Sequence, residues 1–451
     1  MRQRGKSERK MKLKSIILTG TLARLVLVPF IAHPFDVYAW YDYCISVLSR
    51  GFSLDAILVS SRPLLSLTLT AIAYTYGFLS EITSSKAVPI DVLPPQMDPQ
   101  WGISCVPGPL FNVIVKFPIV LSDIATTILI YTLVLNFYGI SAGEKAALLF
   151  YLNPAVIWIS SAWGQYDSVP TMFTLLSLYT LFEKRFFQSS LSLLAATLFK
   201  VYPVGLVLPI TIYLLRKGSF RGSLRFLSAF LVSGSLLLIF GSGSALRFLY
   251  NFLHIFPSWS FHGIFGFGLT YWSVSMLYPL DIDTFNVVSN GIMILLILLS
   301  LYSIHKFDFD DQFKDLTFSA VLIAASIFLS HRYPTEQRIV WLLPFLAIAT
   351  SKGHISERVF WALSLVAFLY MQKTFPHYLL PIATFNADLL LPLFRSTEQL
   401  RTAVQETLMP TPTSAAILSA LGIIFSILML RIYLHLSRVV GLVEWKGKQG
   451  N

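Results

Sequence analysis

The chain has 451 residues, of which 55% are hydrophobic and 14% aromatic, while only 13% are charged. An average soluble domain carries about 25% charged residues, and the shortfall runs the whole length, so no polar half is left to form a soluble domain. Its two cysteines, Cys44 and Cys105, exclude a disulfide framework and a cysteine-rich zinc site, leaving room for one bridge outside the cell.

Apolar stretches of roughly 13–20 residues recur between short charged loops, the pattern of an all-α polytopic integral membrane protein. In chain order the pattern predicts about twelve transmembrane helices, near 15–32, 117–137, 146–162, 168–182, 188–200, 201–215, 226–242, 287–304, 316–330, 338–350, 359–373 and 413–435. Several fall short of a full span of roughly 20 residues. Such short or broken helices are tolerated where they line a protein cavity. The first stretch follows a tail, 1–14, with seven basic residues, which reads as an uncleaved anchor held with its N-terminus inside. With that orientation the segments on the cytoplasmic side hold 22 Lys and Arg and the outer ones 11, the positive-inside bias. The net charge of +11 is therefore a membrane signature, and no nucleic-acid partner is implied.

One domain is expected, with long outer loops at 32–116, 243–286 and 374–412. The run 63–80 is long enough to be a marginal span. A crossing there would turn Lys184, Arg185, Arg216 and Lys217 outward, so loop charge favours a helix lying on or dipping into the outer surface. The proline-rich piece 89–109 cannot be regular helix.

Ionisable residues beside apolar segments are the candidates for function. Asp36 falls just past the first helix among Phe35, Tyr38, Trp40, Tyr41 and Asp42; an aromatic interfacial belt with an incidental acid is the bland alternative. Lys116 and Asp123 lie seven apart on one helical stripe, which neighbouring helices could satisfy without any ligand. Asn153-Pro154 precedes the turn Trp163-Gly164-Gln165-Tyr166-Asp167-Ser168. There Gln165 and Asp167 offer acceptors beside aromatic faces, as a sugar site would, although Asp167 or Ser168 could equally be a helix N-cap.

Lys200 sits midway along an apolar stretch, 189–215, flanked by cations at both ends. A turn at Lys200-Val201-Tyr202-Pro203 keeps both flanks inside and brings Lys200 to the outer side. Arg332, Glu336 and Arg338 occupy a further outer turn, as an anion site or as free rim charge. Loop charge alone thus gathers Asp36, Lys116, Gln165, Asp167, Lys200, Arg332, Glu336 and Arg338 on one face. The sequence contains no GxxxxGK[ST] or HExxH pattern, which argues against an ATP cradle and a zinc peptidase.

The order of Asp36, Lys116-Phe117-Pro118 ahead of Asp123, Asn153-Pro154, Trp163–Ser168, Phe199–Pro203 and Glu336 before Leu343-Pro344 resembles the GT-C glycosyltransferases that use lipid-phosphate sugar donors. The nearer likeness is to archaeal and bacterial polyprenyl-phosphate-sugar mannosyltransferase-like proteins. A more distant one is to the dolichyl-phosphate-glucose glucosyltransferases, whose His-rich version of 163–167 and more compact first loop this chain lacks.

The resemblance covers roughly residues 20–345. It implies transfer of a hexose, mannose or glucose, from a polyprenyl-phosphate donor to a lipid-linked or glycan hydroxyl, at the plasma membrane of a prokaryote or the endoplasmic reticulum. The active face would be extracellular or luminal. Asp36 would be the base. Lys200, Arg332, Arg338 and Arg24 would be candidates for the lipid phosphate, with Asp42, Lys116, Gln165, Asp167 and Glu336 also at the substrate. The chemistry requires no cofactor, although a divalent metal could bridge the phosphate and Asp36 or Asp42. A non-catalytic subunit of a glycosylation or anchor-transfer complex, or a lipid-linked sugar transporter, remains open.

Overall fold

A computed structural model describes residues 2–54, 57, 60, 62–83, 87–92, 103–240, 282–330, 336–372, 378, 379, 381 and 412–439. The basic tail and the first apolar stretch form one helix, α1 (Arg2–Leu27). After a short extended link, α2 (Pro34–Arg50) begins at an N-cap, His33, whose ring accepts from the Asp36 amide, with Pro34 in the first turn. Proline there loses no helical hydrogen bond, and Asp36 complements the positive helix end. The acid expected in a loop thus sits in the first turn of a helix.

Then come α3 (Pro63–Thr83), a two-stranded antiparallel sheet of β1 (Val88–Val92) and β2 (Ile103–Val106), and α4 (Pro109–Tyr138). The sheet occupies the proline-rich piece and is a small departure from the all-helical expectation.

α5 (Ile140–Tyr151) is followed by α6 (Pro154–Ile157), which runs into a π-helical turn, Trp158–Trp163. The two arms bend by 47° at a break of a few residues. Asn153 causes the break: its side chain caps α6 through the Ala155 amide, and Pro154 cannot continue the preceding helix. Next are α7 (Ser168–Phe182), α8 (Phe186–Phe199), a 3-10 turn (Tyr202–Leu206), α9 (Val207–Arg216) and α10 (Phe220–Phe240). After 241–281, outside the described residues, follow α11 (Ile282–His305), α12 (Gln312–Ser330), a 3-10 turn (Glu336–Arg338), α13 (Ile339–Ser351), α14 (Glu357–Met371) and α15 (Pro412–Val439). The expected break at 200–203 is present.

Every expected helix is present, but span count does not follow helix count. Five described helices are long and apolar enough to cross a membrane: α3, α4, most of α11, α12 and most of α15. The bent pair of α5 with α6 and its π-turn has the length and composition of a sixth, as a broken span or a re-entrant loop, and α7, α8 and the stretch Tyr202–Arg216 are shorter apolar helices. α1 is not among the five. Its apolar part ends at Leu27 and carries Arg24.

Two ends can be told apart by contacts. At one end Tyr138 donates to Asp311, Lys352 lies over the Tyr138 ring, Lys145 pairs with Glu357, Tyr213 donates to Gln312, and Arg216 donates to the His305 carbonyl. These loops are the ones charge assigned to the cytoplasmic side. At the other end a small apolar cluster joins Val37 of α2, Leu65, Leu69 and Tyr76 of α3, Phe111 and Val115 of α4, and Tyr166 and Phe199.

α3 meets the length for a span and contacts this second end from its start to its middle. Arg62 ahead of it feels the charge of Asp167, and Tyr76 packs edge-on against Phe111 and Tyr41.

Candidate active site

The expected site residues that the structure describes lie toward this second end, but they divide into three arrangements. The first is a cation cluster built on Asp167. Its carboxylate is fully buried and takes Lys200 Nζ at 3.0 Å on one oxygen and the Tyr202 hydroxyl at 2.9 Å on the other. Asp167 and Ser168 make no N-cap bond to α7, so the bland reading of that turn does not hold for the acid. Lys200 is the extended residue that ends α8, and Tyr202 opens the turn after it, its ring 5.1 Å from Trp341.

Arg62 and Arg338 lie within electrostatic reach of the same carboxylate and of each other. Burial pushes the Lys200 ammonium below the usual lysine range, and Asp167 opposes that shift. Arginine keeps its proton under such pressure. Three cations therefore face one buried carboxylate, an excess of positive charge suited to an anion. Arg338 also starts α13, the end of a helix that disfavours a cation.

The second arrangement surrounds Asp36, whose side chain is one-third exposed. Trp163 Nε1 donates to Oδ2 at 2.5 Å, and His33 Nδ1 lies 3.1 Å from the same oxygen. That nitrogen also accepts from the Asp36 amide at 3.2 Å; a proton on it would turn the contact into an ion pair. Arg62 is the link between the first two arrangements, since it feels both Asp36 and Asp167.

The third arrangement is structural. Arg24 Nε lies 2.8 Å from Asp123 Oδ2, and its Nη1 donates to the Gly20 and Tyr151 carbonyls. Lys116 is fully buried, and its Nζ, with three N–H donors, lies within hydrogen-bond reach of four carbonyls, those of Val28, Ile31, Ser161 and Ala162. Neighbouring segments thus engage Lys116 and one oxygen of Asp123, while Asp123 Oδ1 and Arg24 Nη2 are buried without a hydrogen-bond partner.

Gln165 is buried with its side-chain oxygen lacking a hydrogen-bond partner. Glu336 is buried at the start of the 3-10 turn. Asp42 is exposed and lies near Cys105, away from Asp36. Arg332 lies outside the described residues. Both cysteines are free thiols. Among the described residues no group of three or more His, Cys, Asp or Glu side chains is arranged to hold a metal ion.

Sequence reasoning missed Arg62 and Tyr202 as members of the cluster. Their signals were slight: a lone cation just before an apolar run, and a tyrosine two residues beyond the odd lysine.

No protein-family model matches the chain, and no curated protein matches it by sequence. Among solved structures the chain is similar to the crystal structure of ArnT from Cupriavidus metallidurans bound to undecaprenyl phosphate. The identity is 13% and the TM-score 0.44, with 93% of this chain and 77% of that chain covered.

Proposed function

We propose that this membrane protein is a glycosyltransferase of the GT-C type that moves a hexose from a polyprenyl-phosphate donor to a hydroxyl of a lipid-linked or glycan acceptor. The observation that carries the reading is the excess of cations around Asp167, joined through Arg62 to the partly exposed Asp36. A sugar on a phosphate already has a good leaving group. Its transfer needs a base for the acceptor proton and positive charge for the departing phosphate.

Asp36 takes the acceptor proton as that oxygen bonds to the anomeric carbon. The bond to the phosphate oxygen breaks with its electron pair, and Arg62, Lys200 and Arg338 hold the phosphate through charge-assisted bonds. Arg332 is a further candidate for that role. Direct displacement with one base inverts the anomeric centre. Gln165, between Trp163 and Asp167, is placed to accept from a sugar hydroxyl, and Glu336 stands beside Arg338. No metal is required by this scheme. The face that carries the site is the outer or luminal one, because the opposite end gathers the cationic loops.

The test is transfer by purified protein from a panel of radiolabelled polyprenyl-phosphate hexoses, with and without chelator. Labelled product that disappears in Asp36→Asn supports the reading. Binding of donor with no transfer to any acceptor, and an Asp36→Asn variant that complements a deletion strain, would favour the non-catalytic subunit instead.

A further inference from the structure

We propose that Trp163 is a positioning residue for Asp36: its indole N–H holds Oδ2 and leaves Oδ1 to meet the acceptor hydroxyl. The inference rests on the reading of Asp36 as the base.

The indole is buried and cannot easily turn. Its ring stacks on His33 at 4.7 Å with planes 16° apart, and Tyr378 meets it edge-on at 6.2 Å. The Trp163 carbonyl also accepts from the His33 amide at 3.2 Å. Among the described residues no hydrogen bond occupies Oδ1 of Asp36, whose side chain is one-third exposed, while Oδ2 takes the indole. An aromatic residue that merely anchors to the bilayer interface keeps its N–H at the water side; this one spends it on a carboxylate.

The backbone around Trp163 is built for that aim. The π-helical turn Trp158–Trp163 ends with the Gly164 amide on the Ile159 carbonyl at 3.0 Å. Each residue of an α-helix turns by about 100°, so the wider π-turn shifts which side chain faces α2, and such turns concentrate at functional sites.

Gly164 follows with φ +89, where a Cβ would lie 2.9 Å from Lys116 Cε. Only glycine fits both the angle and the space. Lys116 then takes the Ser161 and Ala162 carbonyls together with those of Val28 and Ile31. One ammonium thus ties the strand of chain that enters α2 to the turn that carries the indole.

A double-mutant cycle on the full-length purified protein tests this, with a radiolabelled polyprenyl-phosphate hexose as donor. Trp163→Phe keeps a ring on His33 and removes the N–H together with part of the ring. It should lower kcat roughly 10- to 100-fold, the range of a charge-assisted hydrogen bond, with donor KM within about twofold. In an Asp36→Asn background the same change should have no further effect, because residues that act as a unit are not additive.

A wild-type kcat for Trp163→Phe, or a loss that adds in full to that of Asp36→Asn, would overturn the proposal. An active Asp36→Asn enzyme would instead overturn the base itself, so the two failures are distinguishable. A readout free of activity is the indole Nε1 proton resonance, assigned by its loss in Trp163→Phe. It should move upfield in Asp36→Ala, and an unmoved resonance would refute the hydrogen bond.

Discussion

Arg24 and Asp123 face each other across α1 and α4, Nε 2.8 Å from Oδ2, with neither side chain exposed. The guanidinium carbon lies 4.0 Å from the Tyr151 ring centroid, and a Cβ on Gly20 would collide with that ring. Glycine one turn before the arginine therefore lets the helices close around the charge. An arginine within a membrane helix costs about 2.5–3.5 kcal/mol on insertion scales; here a carboxylate, two carbonyls and an aromatic face offset that cost.

This pair predicts a stability phenotype where the sequence suggested a phosphate ligand. Removing one partner of a buried ion pair costs about 3–5 kcal/mol, whereas replacing both with apolar residues is often neutral. Arg24→Gln should lower the thermal midpoint in detergent strongly, and Arg24→Met with Asp123→Leu should recover most of it. Unchanged stability of Arg24→Gln together with a raised donor KM would return Arg24 to the phosphate site.

The cation cluster predicts a binding phenotype. Arg62→Gln, Lys200→Gln and Arg338→Gln each remove a charge-assisted bond worth about 1.5–3 kcal/mol, or roughly 10- to 150-fold in donor use. Arg62→Gln should in addition lower kcat, because Arg62 lies within electrostatic reach of both carboxylates. Donor titrations on the purified variants decide it. Wild-type donor dependence in all three would remove the assignment.

How far the sequence reaches is visible in single residues. The turn at Lys200 was legible because cations flank the apolar stretch on both sides and Pro203 breaks it; the gathering of the charged loops at the opposite end follows from the same count. The partner of Lys200 was not legible. Asp167 is 33 residues away, and as plausible an N-cap as an ion-pair partner. Arg62 lies 105 residues from Asp167 and was hidden at the head of an apolar run. The π-turn left no trace either, since Trp158–Trp163 keeps its apolar character in any register.

The cysteines predict a labelling pattern that also tests orientation. Burial pushes the Cys105 thiol up to about 11 and the Cys44 thiol up to about 12. The thiolate is the reactive form, so at pH 8 only about one Cys105 in 1,000 is reactive and labelling should rise roughly tenfold per pH unit up to about pH 10. Cys44, buried against α3, should label only after unfolding. In a chain lacking both, cysteines at 184 and 216 should react from the cytoplasmic side and one at 200 from the other side. Labelling of position 184 from outside in intact cells would reverse the proposed face.

Asp36→Asn is the test of the chemistry. Asparagine keeps the size of the side chain and can still accept the Trp163 N–H through its own oxygen, so α2 and the His33 cap should stay as they are. What it loses is the capacity to take the acceptor proton. A positioned base contributes roughly 10²–10⁴-fold, and turnover should fall by that amount while donor KM, set by the cations around Asp167, changes little. Asp42 is the control on the same helix. Six residues on, it points to a different face, is exposed and lies near Cys105, so Asp42→Asn should keep wild-type turnover. A loss of activity in Asp42→Asn with Asp36→Asn fully active would move the base to the other side of α2. Equal wild-type rates in both would leave α2 without a base and place the proton acceptor on another element.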